Sequence, residues 1–221
     1  MRDHENLSAA RQVGTGLSFI IFPLVFVFAF AVHPGLLTPH LLSPSELIQR
    51  AHRAEVLHLA HALVTLNTAL LVVVALHLTK LLDRTSRAWW GSLGGALAIL
   101  GTLALAADKG ALCLTMSALD NLTDAEFAGM MPGLLAMFSK GGWLVLLWGI
   151  LLLPVGFGVQ AIALLRSGAL PRWQSLLFLI GVLLVATPRG AEIVNLTAAV
   201  LMAIAFVPYG IRLVTGRSSP R

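Results

Sequence analysis

The chain has 221 residues, of which 57% are apolar and 11% formally charged, with a net charge of +5. A soluble globular domain carries about a quarter charged residues, so this composition excludes a water-facing surface for most of the chain. The same figures exclude disorder, and the single cysteine, Cys113, excludes an internal disulfide.

What remains is an integral membrane protein, in keeping with a mean hydropathy of +0.87. Only helices and closed barrels satisfy their backbone in lipid, and a barrel needs alternating rather than continuous apolar residues. The predicted class is therefore all-α, a polytopic membrane helix bundle. The basic residues are spread along the chain without a stripe of interleaved aromatics, which argues against nucleic acid as a partner.

The charge-free runs predict six transmembrane helices in one membrane domain, at about 14–32, 56–79, 88–107, 141–165, 173–188 and 193–211. Crossing roughly 30 Å of hydrocarbon takes about 20 apolar residues, so the fifth run must draw on its flanks or on a thinned bilayer. In the first run, Ala29-Phe30-Ala31 resembles a signal-peptidase site, but Asp3 and Glu5 in the leader favour a retained helix. Six spans divide the Lys and Arg residues ten against five, which places both termini in the cytoplasm. Trp89, Trp90 and Trp173 fall where spans leave the inner face, as interfacial anchors do.

Outside the membrane, Ser43-Pro44-Ser45-Glu46 reads as a capped helix start, with Pro44 at the first helical position. No breaker follows until Leu82. One helix of about 39 residues, roughly 58 Å long, is expected, its first turns projecting outward or bending into the interface. In the third span, Gly91, Gly94, Gly95 and Gly101 form a close-packing face, either for neighbouring helices or for a membrane-protein partner or second copy. After it, 110–119 is apolar but too short to span. Thr123-Asp124-Ala125-Glu126 is a second capping box, and Phe127, Met130, Met131, Leu134, Leu135 and Phe138 form one helical stripe that Pro132 should kink or divide. Both pieces are expected to be interfacial outer helices.

Five of the seven histidines, His33, His40, His52, His58 and His61, belong to the outer side. His58, His61, Thr65 and Thr68 fall within a stripe of roughly 80°, and a polar stripe in the membrane should face the bundle. Asp108 and Lys109 end the third span at that depth, and Arg189, Glu192 and Asn195 begin the sixth. His58, His61, Asp108, Lys109, Arg189, Glu192 and Asn195 are therefore candidate ligand-binding residues for an anionic or hydrogen-bonding small molecule or a lipid headgroup. The alternative is structural: ion pairs of Asp108 with Arg189 and of Lys109 with Glu192, with the histidines in water. A sharper alternative is a membrane-embedded metalloenzyme with His58 and His61 as metal ligands, Glu55 one turn earlier, and a third ligand from His33, His40, Asp108 or Glu192.

Haem is poorly supported, because none of the other five spans contains a histidine, His77 stands alone near the inner end of the second span, and a Met would have to supply the second ligand. No nucleophile elbow, phosphate-binding loop or zinc-protease motif is present, and no catalytic residue is identified. Asn67 and Gln160 read as bonds between helices.

Leu170-Pro171-Arg172-Trp173 before a span, Asp108 closing the third span and Asn195 early in the sixth carry a diffuse resemblance, over 14–214, to uncharacterised bacterial six-helix membrane proteins. The resemblance implies a bacterial inner-membrane location and six helices. It implies no activity and no catalytic residue.

Overall fold

A computed structural model describes residues 2–36, 42–138, 149–186 and 192–216, with side chains from residue 9 onward except that of Phe138. These residues form eight α-helices and no strand: α1 (Arg2–Ala31), α2 (Pro44–Ala51), α3 (Glu55–Leu82), α4 (Ala88–Leu119), α5 (Asp124–Phe138), α6 (Leu152–Ser167), α7 (Arg172–Val185) and α8 (Glu192–Thr215). The all-helical class holds. Five segments are long and apolar enough to cross a membrane: Ala9–Ala31, Glu55–Leu82, Ala88–Leu119, Gly149–Ser167 and Glu192–Thr215. The fifth expected span is shorter, since α7 has 14 residues, about 21 Å of rise.

Six helices pack as a closed ring in the order α1, α3, α4, α6, α7, α8, with α8 returning beside α1. Its axis is filled by aromatic rings: Phe206 lies 5.1 Å from Phe19 and 4.7 Å from Phe178, and Phe178 lies 5.7 Å from Phe157. The outer wall of the ring is the reverse of a soluble protein's. Leu66, Leu103, Leu114 and Leu183 are 72%, 58%, 75% and 61% exposed, a distribution that suits contact with lipid tails.

Buried amides tie this ring together. Asn67 on α3 donates to the Phe22 carbonyl on α1 at 3.0 Å. Gln160 on α6 donates to the Ala75 carbonyl and the Thr79 hydroxyl of α3, each at 3.0 Å, and to the Gly91 carbonyl of α4 at 3.3 Å. Gln174 on α7 donates to the Ala205 carbonyl of α8 at 2.8 Å and accepts from Arg212 at 3.1 Å. The glycine face of α4 is used inside the chain. A Cβ at Gly94 would stand 2.8 Å from the Gly156 carbonyl oxygen, and one at Gly101 would land on the backbone of Leu152 and Leu153. That face is therefore not free for a partner. Gly16 and Gly210 make a similar crossing between α1 and α8.

Three expectations need correction. The 39-residue helix is two: α2 stops at Ala51, His52 is extended, and Arg53 sits at φ 57°, a left-handed conformation costly for a residue with a side chain. The break is held from outside, because the Arg53 N–H donates to the Asp120 carboxylate at 2.7 Å and its guanidinium donates to the Leu122 carbonyl at 2.8 Å. Second, Asp108 does not close the third span. α4 runs on to Leu119, since 109–119 contains no proline and its end is packed by Ile48, Phe127 and Leu134 around Met116 and Leu119. Third, Pro132 does not divide α5. Both capping boxes form, with Glu46 on the Ser43 N–H at 2.8 Å and Glu126 on the Thr123 N–H at 2.9 Å. The hydroxyl and N–H of Thr123 hold the Glu126 carboxyl below the usual carboxylate range. Of the expected α5 stripe, Phe127 and Leu134 are buried, whereas Met130 and Leu135 are exposed.

The ring thus has two unlike ends. One, which we call the capped end, carries the end of α1, the start of α3, the end of α4 and the start of α8, covered in part by α2 and α5. The other, the basic end, carries the connection between α3 and α4 and that between α6 and α7.

Candidate functional site

Two polar groupings occupy the capped end. The first is a knot between the α2–α3 turn and the α4–α5 turn. Asp120 accepts from the Arg53 N–H at 2.7 Å and lies 3.0 Å from Nδ1 of His58. Nε2 of His58 is 3.0 Å from the Ala51 carbonyl, so both ring nitrogens face acceptors. His52 stacks on Phe127 at 3.9 Å, with its nitrogens 3.8 Å from Asp120 and 3.9 Å from Asp124. Arg53 pairs with Asp124 at 3.1 Å. Cys113 donates its thiol to the His58 carbonyl at 3.5 Å, a packing contact rather than a reactive setting.

Among the described residues, both His58 nitrogens face acceptors, Asp120 and the Ala51 carbonyl, and no group of three His, Cys, Asp or Glu is arranged to hold a metal. His77, the histidine weighed for haem, instead meets the Tyr209 hydroxyl at 2.7 Å.

The second grouping lies beside the knot, at the mouth of the ring. Glu192 and Asn195, at the start of α8, share a face as their spacing of three requires, and Asn195 donates to Glu192 at 3.3 Å. Glu192 also lies 3.3 Å from Nδ1 of His33, which follows α1. On α4, Lys109 is 3.3 Å from Asp108. His61, on α3, is within electrostatic range of Lys109, His33, His58 and Asp108, and its buried Nδ1 has no hydrogen-bond partner among the described residues. Burial lowers the pKa of His33 from its ordinary 6.5, and Lys109 adds to this; the neighbouring Glu192 opposes both without overcoming them. Nδ1 is close to two groups, the Glu192 carboxylate at 3.3 Å and the Gly35 N–H at 3.4 Å.

Of the seven candidate residues, His61, Asp108, Lys109, Glu192 and Asn195 thus share one end of the ring, and His58 belongs to the adjoining knot. Arg189 and His40 lie outside the described residues. The expected pair of Lys109 with Glu192 is replaced by Lys109 with Asp108 and Glu192 with His33. Sequence reasoning missed Asp120, Asp124 and the turn of Arg53. No spacing rule links a backbone N–H to a carboxylate 67 positions away.

Directly within the ring lies a cavity of about 210 Å³. All its lining residues are apolar, among them Phe22, Phe26 and Phe30 of α1, Leu105 of α4, Phe178 of α7 and Met202 of α8. Its floor is buried, at Phe22, Leu105 and Phe178, whereas Leu151 at its edge is 53% exposed. Phe30 precedes His33 by three residues and Leu105 precedes Asp108 by three, so the polar grouping begins about one turn beyond the apolar walls. With no polar wall the cavity does not hold water.

No protein-family model, curated protein or solved structure matches this chain.

Proposed function

We propose that this chain is a six-helix protein of a bacterial cytoplasmic membrane, both termini inside, that binds one amphiphile from the outer leaflet. The headgroup sits among His61, Asp108, Lys109, Glu192 and Asn195, with His33 beside them, and the apolar part fills the cavity below. Lys109 supplies positive charge for an anionic headgroup; Asp108 orients Lys109, and Glu192 and Asn195 offer hydrogen-bonding partners. The six-span reading is supported by the ring, in which α7 takes the sixth place between α6 and α8. The orientation follows from the excess of Lys and Arg at the basic end, and the bacterial setting from the resemblance noted above.

One observation carries the binding reading: a polar grouping whose buried His61 Nδ1 has no hydrogen-bond partner among the described residues stands one turn from an aromatic-walled apolar cavity. The test is lipid retention. Protein purified in a mild detergent and extracted with organic solvent should yield about one lipid per chain by mass spectrometry. Glu192→Gln and Lys109→Gln should each lower that yield about tenfold, the size of one lost charge-assisted hydrogen bond. No retained lipid, or equal retention by both variants with the fold intact, contradicts the proposal.

A further inference from the structure

The basic end holds a second concavity, of about 450 Å³, walled by Arg11, Gln12 and Thr15 of α1 and by His77, Lys80 and Arg84 from the end of α3 and the turn after it. Three of these six side chains are cations, and none is a carboxylate. Among the described residues no acid forms an ion pair with Arg11, Lys80 or Arg84, and the neighbouring Asp83 pairs with none of them. Nε2 of His77 is 2.7 Å from the Tyr209 hydroxyl, which fixes the ring at the wall.

An excess of Lys and Arg at this end would arise from orientation alone. Orientation does not require the cations to converge. Arg11, Lys80 and Arg84 are exposed around one concavity, where like charges repel and raise the local potential for an anion. Such a field is relieved by an anion, and Gln12 and Thr15 add neutral donors at the same wall. The depth agrees with a headgroup. Trp89, Trp90 and Trp173, exposed by 72%, 47% and 50%, ring this end as interfacial anchors.

We infer that this pocket binds an anionic phosphate group, carried either by a phospholipid headgroup or by a free phosphate. The site is separate from the one at the capped end and does not depend on it. The probes are dioctanoyl phosphatidylglycerol, dioctanoyl phosphatidylcholine and inorganic phosphate, titrated calorimetrically onto the full chain in neutral, phosphate-free detergent. Phosphatidylglycerol should bind at least about tenfold more tightly than phosphatidylcholine, whose choline cancels the charge. Arg11→Gln, Lys80→Gln and Arg84→Gln should each weaken binding about tenfold. Arg166→Gln and Arg172→Gln, exposed cations at the same end but outside the pocket, should leave it unchanged. Displacement of the lipid by inorganic phosphate identifies a soluble source; lipid binding that phosphate does not displace identifies the membrane. Binding of neither anion, equal binding of the two lipids, or equal weakening by Arg166→Gln and Arg172→Gln overturns the inference.

Discussion

Asp120→Ala detaches the cap while the six-helix ring stays folded. The carboxylate receives the Arg53 N–H at 2.7 Å and faces Nδ1 of His58 at 3.0 Å. Its loss strands a donor in a turn that is already costly for Arg53, and leaves the buried His58 ring facing one acceptor instead of two. Removing one partner from such a partly exposed set costs about 1.5 kcal/mol. Amide exchange should therefore accelerate about tenfold in 44–54 and 120–138, while 60–80 keeps its protection. The small core of Ile48, Met116, Leu119, Phe127 and Leu134 depends on that tie, because α2 is too short to hold its place alone. Asp120→Asn, which keeps an acceptor for the Arg53 N–H, should give a smaller acceleration. Unchanged exchange, or a uniform loss of protection across all helices, would show that the knot does not hold the cap.

Gly94→Leu has the opposite reach, damaging the ring and sparing the cap's local ties. The first added atom would stand 2.8 Å from the Gly156 carbonyl oxygen, 2.9 Å from Cγ of Gln160 and 3.1 Å from its backbone nitrogen. Two of those three atoms are backbone, so α4 and α6 must separate rather than repack a side chain. Separation also stretches the Gln160 bonds to Ala75, Thr79 and Gly91. Overpacking of this kind costs about 3 kcal/mol, which for a chain of this length lowers Tm by about 10 °C. Gly129→Leu on α5 is the control. Nothing lies within 4 Å of its added Cβ, so its Tm should match the parent's. Equal melting of the Gly94 variant and the parent would show that the two helices do not cross there.

The helical class and the positions of the long apolar helices follow from features local to the chain. The apolar run at 56–79 becomes Glu55–Leu82, and the capping acids at Glu46 and Glu126 sit three residues from the hydroxyls they serve. Local features failed where a distant group decides the backbone. Nothing near Arg53 in sequence predicts its left-handed turn, because the acceptor that holds it belongs to Asp120. Beyond Asp108 a charged pair interrupts the apolar pattern, which by itself predicts a separate piece. In the fold that pair lies within a helix, at the mouth of the ring.

The candidate site was partly visible for the same reason. Depth along a helix can be counted, so His61, Asp108, Glu192 and Asn195 could be assigned to a common level. Partners cannot be counted, and the exchange of a Lys109–Glu192 pair for Lys109–Asp108 and His33–Glu192 depends on how the helices turn about their axes. The aromatic-walled cavity had no signature at all, since Phe22, Phe26, Leu105 and Met202 look like any other apolar residues within a span. At the basic end, side of the membrane was legible for Arg11, Lys80 and Arg84, but not their convergence on one concavity.

Amphiphile binding at the capped end is tested most directly by photocrosslinking in lipid nanodiscs, with a phospholipid carrying a diazirine near the end of one acyl chain. Labelling should appear on Phe22, Phe26 and Phe178, saturate at one lipid per chain, and disappear in Leu105→Trp, whose larger side chain fills the cavity. Labelling confined to the outward-facing Leu66 and Leu103, rising with lipid content and indifferent to Leu105→Trp, would contradict it.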